Sequence, residues 1–347
     1  MWIAGLGPSP LPFDMFSLAK DADLARRQDK LTSLYHRGQA LAWDGQKVLA
    51  ELLAKHGGIQ LDDAKRHAIG NILQVLLWGE LAAWKIASQL ADSFVPLGPK
   101  LAATSQAHDE ARHFYVMHDY LRELGFLPQP LNRQARVLLD GVLRTDDPLF
   151  KVMGMQLMIE ALALTIFQAL RESNAEPVLC ELLLYYEKDE ARHVGLGVQY
   201  LPSELKKLSR WKERRMIAFQ VQLLLAALLE LKVMEPHMRV LGVDPRRVYL
   251  LGTTKQALVF EMLWKEQGQA DPEEESLASR ILTASGELLF PERPPGRSAM
   301  SCYYQAAKEA LRTLRVGLPE NIPASSIDPE AEAQRPMASV WRAETHS

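Results

Sequence analysis

The pentapeptide Asp-Glu-Ala-Arg-His occurs twice in this 347-residue sequence, at 109–113 and again at 189–193. In each copy the Glu and the His are three residues apart, so on a helix their side chains share one face. A glutamate inside an apolar stretch precedes the Glu of each copy by thirty residues; these two residues are Glu80 and Glu160. The repeat predicts two similar helical hairpins.

The positions of the helix breaks between the repeated segments predict that the four glutamates lie at the same height along the bundle axis. The first pair is equidistant from residue 95, beside Pro-Leu-Gly-Pro at 96–99, and the second from residue 175, inside Ser-Asn-Ala-Glu-Pro at 173–177. Each glutamate therefore lies about 15 residues, or about 22 Å of helix, from its turn. Two such hairpins packed face to face bring four carboxylates and two imidazoles into one bundle core.

Four buried carboxylates would take up protons unless cations compensated their charge. Carboxylate with neutral imidazole suits iron or manganese. Glu110 and Glu190 are the candidate bridging carboxylates, with a coordination shift of Glu160 as the alternative. The predicted ligands of two bridged metal ions, and hence the predicted catalytic residues, are Glu80, Glu110, His113, Glu160, Glu190 and His193.

The doubled motif with its upstream glutamates resembles the ferritin-like di-iron carboxylate proteins. Its fuller Asp-Glu-x-Arg-His form resembles their oxygen-activating branch, which includes bacterial di-iron monooxygenases and ribonucleotide reductase small subunits. The resemblance covers residues 61–201. It implies an all-α, ferritin-like four-helix bundle of two helical hairpins, with additional N- and C-terminal helices.

The resemblance also implies roles for the other charged residues of the motif. Asp109 would hold His193, and Asp189 would hold His113, with Arg112 and Arg192 bracing the aspartates. A metal-ligating histidine usually needs such a carboxylate on its second ring nitrogen.

The function implied by the resemblance is that of a non-haem di-iron enzyme that uses O2 to hydroxylate, desaturate or N-oxygenate a small organic substrate. Its cofactor would be two iron ions, with Mn/Fe as an alternative. An external donor, a ferredoxin or a flavin reductase, would supply electrons, because the sequence has no cysteine cluster or dinucleotide-binding glycine loop. The alternatives are a ferroxidase or peroxidase, an Mn/Fe ligand-binding oxidase, and a metal-free helical interaction protein.

The sequence differs at several points from particular families of this branch, and each difference counts against the function of that family. Met117 stands where a reductase small subunit carries its radical tyrosine, and Tyr186 stands where aminobenzoate-type N-oxygenases carry a third histidine. Two cysteines cannot form the four-cysteine site of rubrerythrins.

Residues one helical turn from a predicted ligand are candidates for lining a substrate pocket, with ordinary core packing as the alternative. Gln156 and Tyr186 are the better candidates, because polar groups that face inward need partners. The full set is Leu76, Trp84, Gln106, Met117, Gln156, Leu164, Tyr186 and Gly197.

Helical periodicity dominates the chain, and no run of alternating residues predicts a strand. The predicted organisation is an N-terminal segment with a helix (1–60), the metal-binding bundle (61–201), additional C-terminal helices (202–317) and an irregular tail (318–347). Helices are predicted over residues 14–55, 61–93, 99–124, 131–143, 148–172, 177–202, 203–234, 245–266, 272–289 and 299–316.

Composition excludes several classes of function. Forty basic and 43 acidic residues give a net charge of −3, which does not favour nucleic acid or an anionic membrane as a partner. Cys180 and Cys302 cannot form a disulfide framework, so we expect a cytoplasmic protein. We expect no membrane-spanning helix, because the apolar run 221–234 is too short and the run 152–170 contains Glu160. The run 221–234 is a candidate homodimer interface.

Overall fold

The computed structural model describes residues 29–267 and 277–316. Every regular element in these two ranges is a helix, which confirms the predicted all-α fold. In chain order the helices are α1 (Asp29–Ala40), α2 (Gly45–His56), α3 (Asp63–Ser93), α4 (Leu97–Glu123), α5 (Arg133–Leu143), α6 (Pro148–Glu172), α7 (Pro177–Leu205), α8 (Arg210–Val240), α9 (Pro245–Gln267), α10 (Leu277–Leu289) and α11 (Ala299–Val316).

Local capping explains where the main helices begin and end. Helix α2 ends at Gly57, whose φ of 70° lies in the left-handed region that favours glycine. The Asp62 carboxylate accepts a hydrogen bond from the Lys65 backbone N–H and caps α3. In the same way Glu176 accepts from the Leu179 N–H and caps α7. Local capping therefore fixes where one helix of each hairpin begins, α3 in the first and α7 in the second.

The predicted continuous helix over 14–55 is wrong in the part that the structure describes. Between α1 and α2 the chain leaves the helical conformation at residues 41–44. The Asp44 side chain accepts a hydrogen bond of 3.0 Å from the Lys47 N–H and starts α2. Residues 14–28 lie outside the described residues, as do 272–276 of the predicted helix over 272–289 and the predicted tail at 318–347.

Two predicted boundaries near prolines are also wrong. Helix α7 continues through Pro202 to Leu205, and Ser209 then caps α8. Helix α8 in turn contains Pro236 and ends at Val240, six residues beyond the predicted end. Tertiary packing therefore extends both helices past residues that favour a helix end in isolation.

Two hairpins form the centre of the molecule. Helices α3 and α4 form the first, and α6 and α7 form the second; α4 packs against α7, and α3 packs against α6. Outside them, α1 and α2 cover α4 and α7, α5 and α8 cover α3, and α9 covers α6 and α7. The architecture is a four-helix bundle that is covered by additional helices from the N-terminal and C-terminal parts of the described chain, and by α5 between the two hairpins.

Helix α6 contains a π-helical segment, Met153–Ile159, immediately before Glu160. The Glu160 N–H donates to the Met155 carbonyl, five residues back, which closes the wider π turn. Such segments are rare and occur mostly at functional sites. Here the segment sets the direction in which Glu160 leaves the helix.

Two helices in the described part of the chain are long and apolar enough to cross a membrane by length and composition, α6 and α8. In the most apolar window of α6, 89% of the residues are buried, as expected for the central helix of a bundle. In α8 the corresponding share is 33%, and Ile217, Leu229 and Val233 are exposed on its outer side. Within the described part of the chain, no neighbouring helix fully covers these three apolar side chains of α8.

Candidate metal centre

Six side chains converge in the interior of the bundle, and none is more than 5% exposed. Helices α3 and α6 contribute one glutamate each, and α4 and α7 each contribute a Glu-x-x-His pair. These are the six residues that the sequence predicts as ligands: Glu80, Glu110, His113, Glu160, Glu190 and His193.

The six residues form two overlapping groups, each of which could hold one metal ion. Within each group, one ligand atom from every residue lies within 4.8 Å of the others. The first group is Glu80, Glu110, His113 and Glu190, and the second is Glu110, Glu160, Glu190 and His193. Glu110 and Glu190 belong to both groups, so their carboxylates lie between two possible metal positions.

Both imidazoles turn Nδ1 towards the carboxylates. His113 Nδ1 lies 3.3 Å from Glu80 Oε2 and 3.2 Å from Glu190 Oε1. His193 Nδ1 lies 3.0 Å from Glu110 Oε1 and 3.0 Å from Glu190 Oε2. The Nε2 atom of each ring is therefore left for partners outside the cluster.

Three buried atoms of the cluster have no hydrogen-bond partner among the described residues: Glu110 Oε2, His113 Nδ1 and Glu190 Oε1. His113 Nδ1 is close to carboxylate oxygens but without hydrogen-bond geometry. Orphaned buried polar atoms are costly, and a divalent cation would bind all three through their lone pairs. The donor set of carboxylate oxygen and imidazole nitrogen fits iron or manganese.

Burial and neighbouring charges shift the pKa values of the predicted ligands in different directions. Burial raises the pKa values of Glu80 and Glu160 well above the usual range. Burial would also raise the pKa of Glu110, but the two imidazoles hold it well below its usual value. Burial opposes protonation of His113 and His193, yet the surrounding carboxylates raise both pKa values. Protonation of four of the six predicted ligands is thus favoured, and metal ions would compete with these protons.

Two arginines and two aspartates join the hairpins on the Nε2 side of the imidazoles. Arg112 donates to Asp109 Oδ1 and, at 2.8 Å, to Asp189 Oδ2. Arg192 donates to Asp109 Oδ2 at 2.9 Å and to Asp189 Oδ1 at 2.6 Å. All four side chains are buried. Each arginine therefore bridges the aspartate of its own helix and that of the opposite hairpin.

Each histidine faces the aspartate of the opposite hairpin. His113 Nε2 lies 3.0 Å from Asp189 Oδ2, and His193 Nε2 lies 3.4 Å from Asp109 Oδ2. A carboxylate on Nε2 favours the tautomer with its proton there and a free lone pair on Nδ1. This arrangement directs both Nδ1 atoms to the cluster.

Trp43 is a neighbour of the centre that sequence reasoning missed. Its indole Nε1–H donates to Asp189 Oδ2 at 2.7 Å, and the Arg112 guanidinium lies 4.8 Å from its ring centroid. Trp43 lies in the break between α1 and α2, where the sequence predicts an unbroken helix. Only the Asp44 cap beside it marks the break locally, and nothing in the sequence connects it to Asp189.

Two buried glutamines support the carboxylates on another side. Gln106 Nε2 lies 3.0 Å from both Glu110 Oε1 and Glu160 Oε1 and donates to them. Its Oε1 accepts a hydrogen bond of 3.0 Å from Gln156 Nε2, in the π segment of α6. The pair thus links α4 and α6 and orients two predicted ligands.

Solved structures share this architecture at low sequence identity. A Synechococcus protein titled "Protein 19 with aldehyde deformylating oxidase activity" is 18% identical; the match covers 64% of this chain and 96% of that one, with a TM-score of 0.53. An R2-like ligand-binding oxidase variant with an Fe/Fe cofactor is 15% identical, covering 67% and 92%, with a TM-score of 0.52. Another variant, with an Mn/Fe cofactor, is 17% identical, covering 67% and 93%, with a TM-score of 0.51.

The chain has a ferritin-like fold. No protein-family model and no curated protein matches the sequence. The structural match is therefore carried by the arrangement of the helices.

An apolar cavity of about 50 Å³ lies inside this ferritin-like bundle, beside Glu80 and Glu160. Helices α3, α5, α6 and α8 form its walls. Apart from Glu80, Glu160 and Glu230, its lining is hydrocarbon or glycine: Val75, Leu76, Gly79, Ala83, Ala135, Leu138, Leu139, Met155, Ile159, Leu162, Ala163, Ile166 and Met234. The cavity gives the two glutamates an apolar side opposite the aspartates.

Of the eight pocket candidates, Leu76 lines this cavity, whereas the two favoured ones, Gln156 and Tyr186, do not. Gln156 contacts Gln106, and the Tyr186 hydroxyl donates to the His113 carbonyl while its ring stacks on that imidazole. Met117 packs in the core, and Trp84 is 39% exposed near Phe114. A Cβ on Gly197 would lie 2.5 Å from Leu157 Cδ2, so this glycine permits close packing of α6 on α7.

Proposed function

We propose that this protein is a non-haem dimetal oxidase or oxygenase that uses O2 to oxidise a small organic substrate. The observation that carries the proposal is the overlap of two four-residue ligand groups on Glu110 and Glu190. Two ferrous ions bound there supply electrons and open coordination positions for the reduction of O2. The oxidase titles of structures with this fold support the proposal.

The protein's own residues have distinct tasks in this proposal. Glu80 and His113 would hold one ion, and Glu160 and His193 the other, with Glu110 and Glu190 shared between them. Asp109 and Asp189 keep the imidazole protons on Nε2, so both Nδ1 lone pairs face the metal. Gln106 fixes one oxygen each of Glu110 and Glu160.

The cavity favours an organic substrate over a ferroxidase role. A ferroxidase must admit hydrated iron ions, which need polar groups along their route. The space beside Glu80 and Glu160 is instead lined by apolar residues, with Glu230 as one further polar residue, and this lining matches a mainly apolar molecule. Hydroxylation, desaturation and N-oxygenation of such a molecule are the reactions that we propose.

Electrons would reach the site from a separate protein, a ferredoxin or a flavin reductase. The sequence has two cysteines, too few for an iron–sulfur cluster of its own. The half-buried Trp43 is joined through Asp189 to His113 by hydrogen bonds. We propose this connection as the place where a donor approaches the centre.

The metal pair is Fe/Fe in our proposal, with Mn/Fe as the alternative. Carboxylate and imidazole donors accept both metals. Structures with this fold have been obtained with each pair. Elemental analysis of protein purified from cells given both metals distinguishes the two.

The decisive experiment loads the full chain with ferrous iron under anaerobic conditions and then adds O2. We expect two iron ions per chain and rapid O2 uptake coupled to an absorption change. Glu160→Gln should lose one iron and the O2 reaction, while retaining helicity by circular dichroism. Glu187→Gln is the matched control, because Glu187 is also a buried glutamate but pairs with Arg171 outside the cluster.

Each alternative has its own signature. A chain that binds no metal, with unchanged melting after metal addition, would be a helical interaction protein. Repeated turnover of added ferrous iron or of peroxide, without an organic product, would indicate a ferroxidase or peroxidase. An O2 reaction that Glu160→Gln leaves unchanged would refute Glu160 as a ligand.

A further inference from the structure

A third carboxyl group lies in the wall of the cavity beside Glu80 and Glu160, and the metal centre does not use it. Glu230 on α8 is 2% exposed. Its Oε1 accepts a hydrogen bond of 2.8 Å from Asn132 Nδ2, at the start of α5. Its Oε2 is buried and has no hydrogen-bond partner. The described chain therefore leaves one oxygen of this carboxyl group unsatisfied at the cavity wall.

Burial of the Glu230 carboxyl group at this position costs free energy unless a ligand binds to it. An ionised carboxylate in an apolar wall loses its hydration, and two neighbouring amide groups do not replace all of it. Burial accordingly raises the pKa of Glu230, although hydrogen bonding from the Asn132 side chain and the Ala135 backbone N–H opposes the rise. A ligand that brings a strong hydrogen-bonding partner to Oε2 would remove the cost. A hydrophobic residue would have filled the wall more favourably if packing were its only task.

The cavity has room beyond the position of Glu230. A Cβ added to Gly79, the residue before the predicted ligand Glu80, would meet no other atom within 4 Å. A second apolar cavity, of about 60 Å³, lies against the first and shares Leu138, Ile159 and Leu162 with it. The second cavity contains another unsatisfied polar atom, Gln256 Nε2. Movement of these shared side chains would join the two spaces for a longer molecule.

We propose that this cavity, once movement of the shared side chains joins it to the second one, binds a molecule with an apolar body and an amino group, and that the amino group pairs with Glu230. This inference rests on the proposed function, because it assigns a substrate class to the same site. The apolar body would occupy the space beside Glu80 and Glu160. The polar end is then anchored on α8, and a hydrocarbon part faces the metal centre.

An amine is favoured over other ligands because it forms a pair without net charge with the Glu230 carboxyl group. A carboxyl group and an amine share one proton, so their pair is neutral overall whichever atom holds it. A carboxylate ligand would place a second acid against Glu230 and is disfavoured. An alcohol can form a hydrogen bond there, but a bond between neutral groups is weaker than a charge-assisted one. An alkane would leave Oε2 unsatisfied.

Calorimetric titration of the iron-loaded full chain, under anaerobic conditions, tests the proposal with three probes of equal length: n-hexylamine, 1-hexanol and hexanoate. We expect n-hexylamine to bind about tenfold or more tightly than 1-hexanol, and hexanoate most weakly. Glu230→Gln, which can still pair with Asn132, should remove the advantage of the amine and leave 1-hexanol within about twofold. Glu213→Gln, an exposed glutamate of the same helix, is the matched control and should change nothing.

Gly79→Leu provides an independent variant, since a side chain at this position would fill the cavity and should abolish binding of both n-hexylamine and 1-hexanol. Equal affinities for these two probes, an amine affinity that survives Glu230→Gln, or the absence of binding would each overturn the proposal. Iron content and O2 uptake are measured on the same samples. If iron binding and O2 uptake are absent while n-hexylamine still binds in a way that depends on Glu230, the proposed function is refuted. The inference about amine binding then stands.

Discussion

The two aspartates of the repeated pentapeptide have unequal surroundings although their local sequences are identical. Asp189 Oδ2 receives hydrogen bonds from Trp43, Arg112 and His113, and its Oδ1 receives one from Arg192. Asp109 has the two arginines and a longer contact of 3.4 Å to His193. The two halves of the centre are thus related by the repeat but not equivalent.

This inequality predicts different costs for the same substitution. Asp189→Asn should destabilise the fold by on the order of 3 kcal/mol, because the Trp43 indole loses its charged acceptor in addition to the two arginines that both aspartates share. It should also weaken metal binding about 10–100-fold through His113. Asp109→Asn should have the smaller effect on both. Urea unfolding and metal titration of the two variants provide the comparison, and equal losses would contradict the prediction.

The glutamine pair yields a second prediction at the scale of single residues. Gln106→Leu removes the donor to Glu110 and Glu160, and should weaken iron binding about 10–100-fold. Gln156→Leu acts only through Gln106 and should weaken it less. Competition with a chelator of known affinity measures both constants. A larger loss for Gln156→Leu would mean that the π segment, and not Gln106, orients these carboxylates.

Residues with a repeated pattern could be predicted from the sequence, and residues without one could not. The convergence of the six predicted ligands follows from equal spacing about two turns, because antiparallel helices convert spacing along the chain into height in the bundle. Trp43, in the break between α1 and α2, and Glu230, on α8, lie outside the repeat. Their positions depend on how α1, α2 and α8 pack, which local periodicity does not specify.

At the scale of helices, the close contact between α6 and α7 depends on a residue without a side chain, Gly197. Gly197 lies where a Cβ would come 2.5 Å from Leu157 Cδ2 and 3.1 Å from Gln156 Cβ. Both neighbours belong to the π segment. The close approach therefore holds the segment, and the Gln156–Gln106 hydrogen bond beside it, in position.

A pair of glycine substitutions on α7 tests this packing. Gly197→Ala should destabilise the fold by about 1–3 kcal/mol, because the added methyl group displaces α6. Gly195→Ala is the matched control: its nearest neighbour, Leu34 Cδ2, would lie at an ordinary 3.4 Å. There the gain in helix propensity, up to about 1 kcal/mol, should keep stability equal or raise it. Thermal unfolding of both variants gives the answer, and two equal losses would exclude the close-packing explanation.

Helix boundaries show what local sequence specifies. The ends with a strong cap or a left-handed glycine, such as Asp62 and Gly57, were predicted to within about two residues. The ends predicted at prolines failed, because Pro202 and Pro236 lie within α7 and α8. Packing against the bundle outweighs the lost hydrogen bond at these positions.

At the scale of the whole molecule, the helices outside the repeat complete the chamber beside the metal centre. Helix α8 contributes Glu230 and Met234 to the wall, and α5 contributes Ala135, Leu138 and Leu139. The repeat alone would leave Glu80 and Glu160 open on this side. Substrate selection is therefore expected to depend on α5 and α8, whereas metal binding depends on the two hairpins.

Metal binding should couple the stability of the entire bundle to pH. In the metal-free chain the raised pKa values of Glu80, Glu160, His113 and His193 mean that folding favours their protonated forms. This contribution to stability is complete below the unfolded-state values, near 4.5 for the glutamates and 6.5 for the histidines. It is lost as pH rises through the higher folded-state values. The metal-free chain should therefore become less stable from slightly acidic to slightly alkaline solution.

Bound cations replace these protons, so the loaded chain should not show that loss, and its affinity for metal should rise with pH. Melting temperatures of chelator-treated and ferrous-loaded protein should diverge as pH increases, with about 4 kcal/mol of added stability when free metal is about a thousandfold above Kd. Calorimetric loading in two buffers of different ionisation enthalpy should detect the release of about four protons, one from each of the four groups. A melting difference that is constant with pH, without proton release, would show that the cations bind elsewhere.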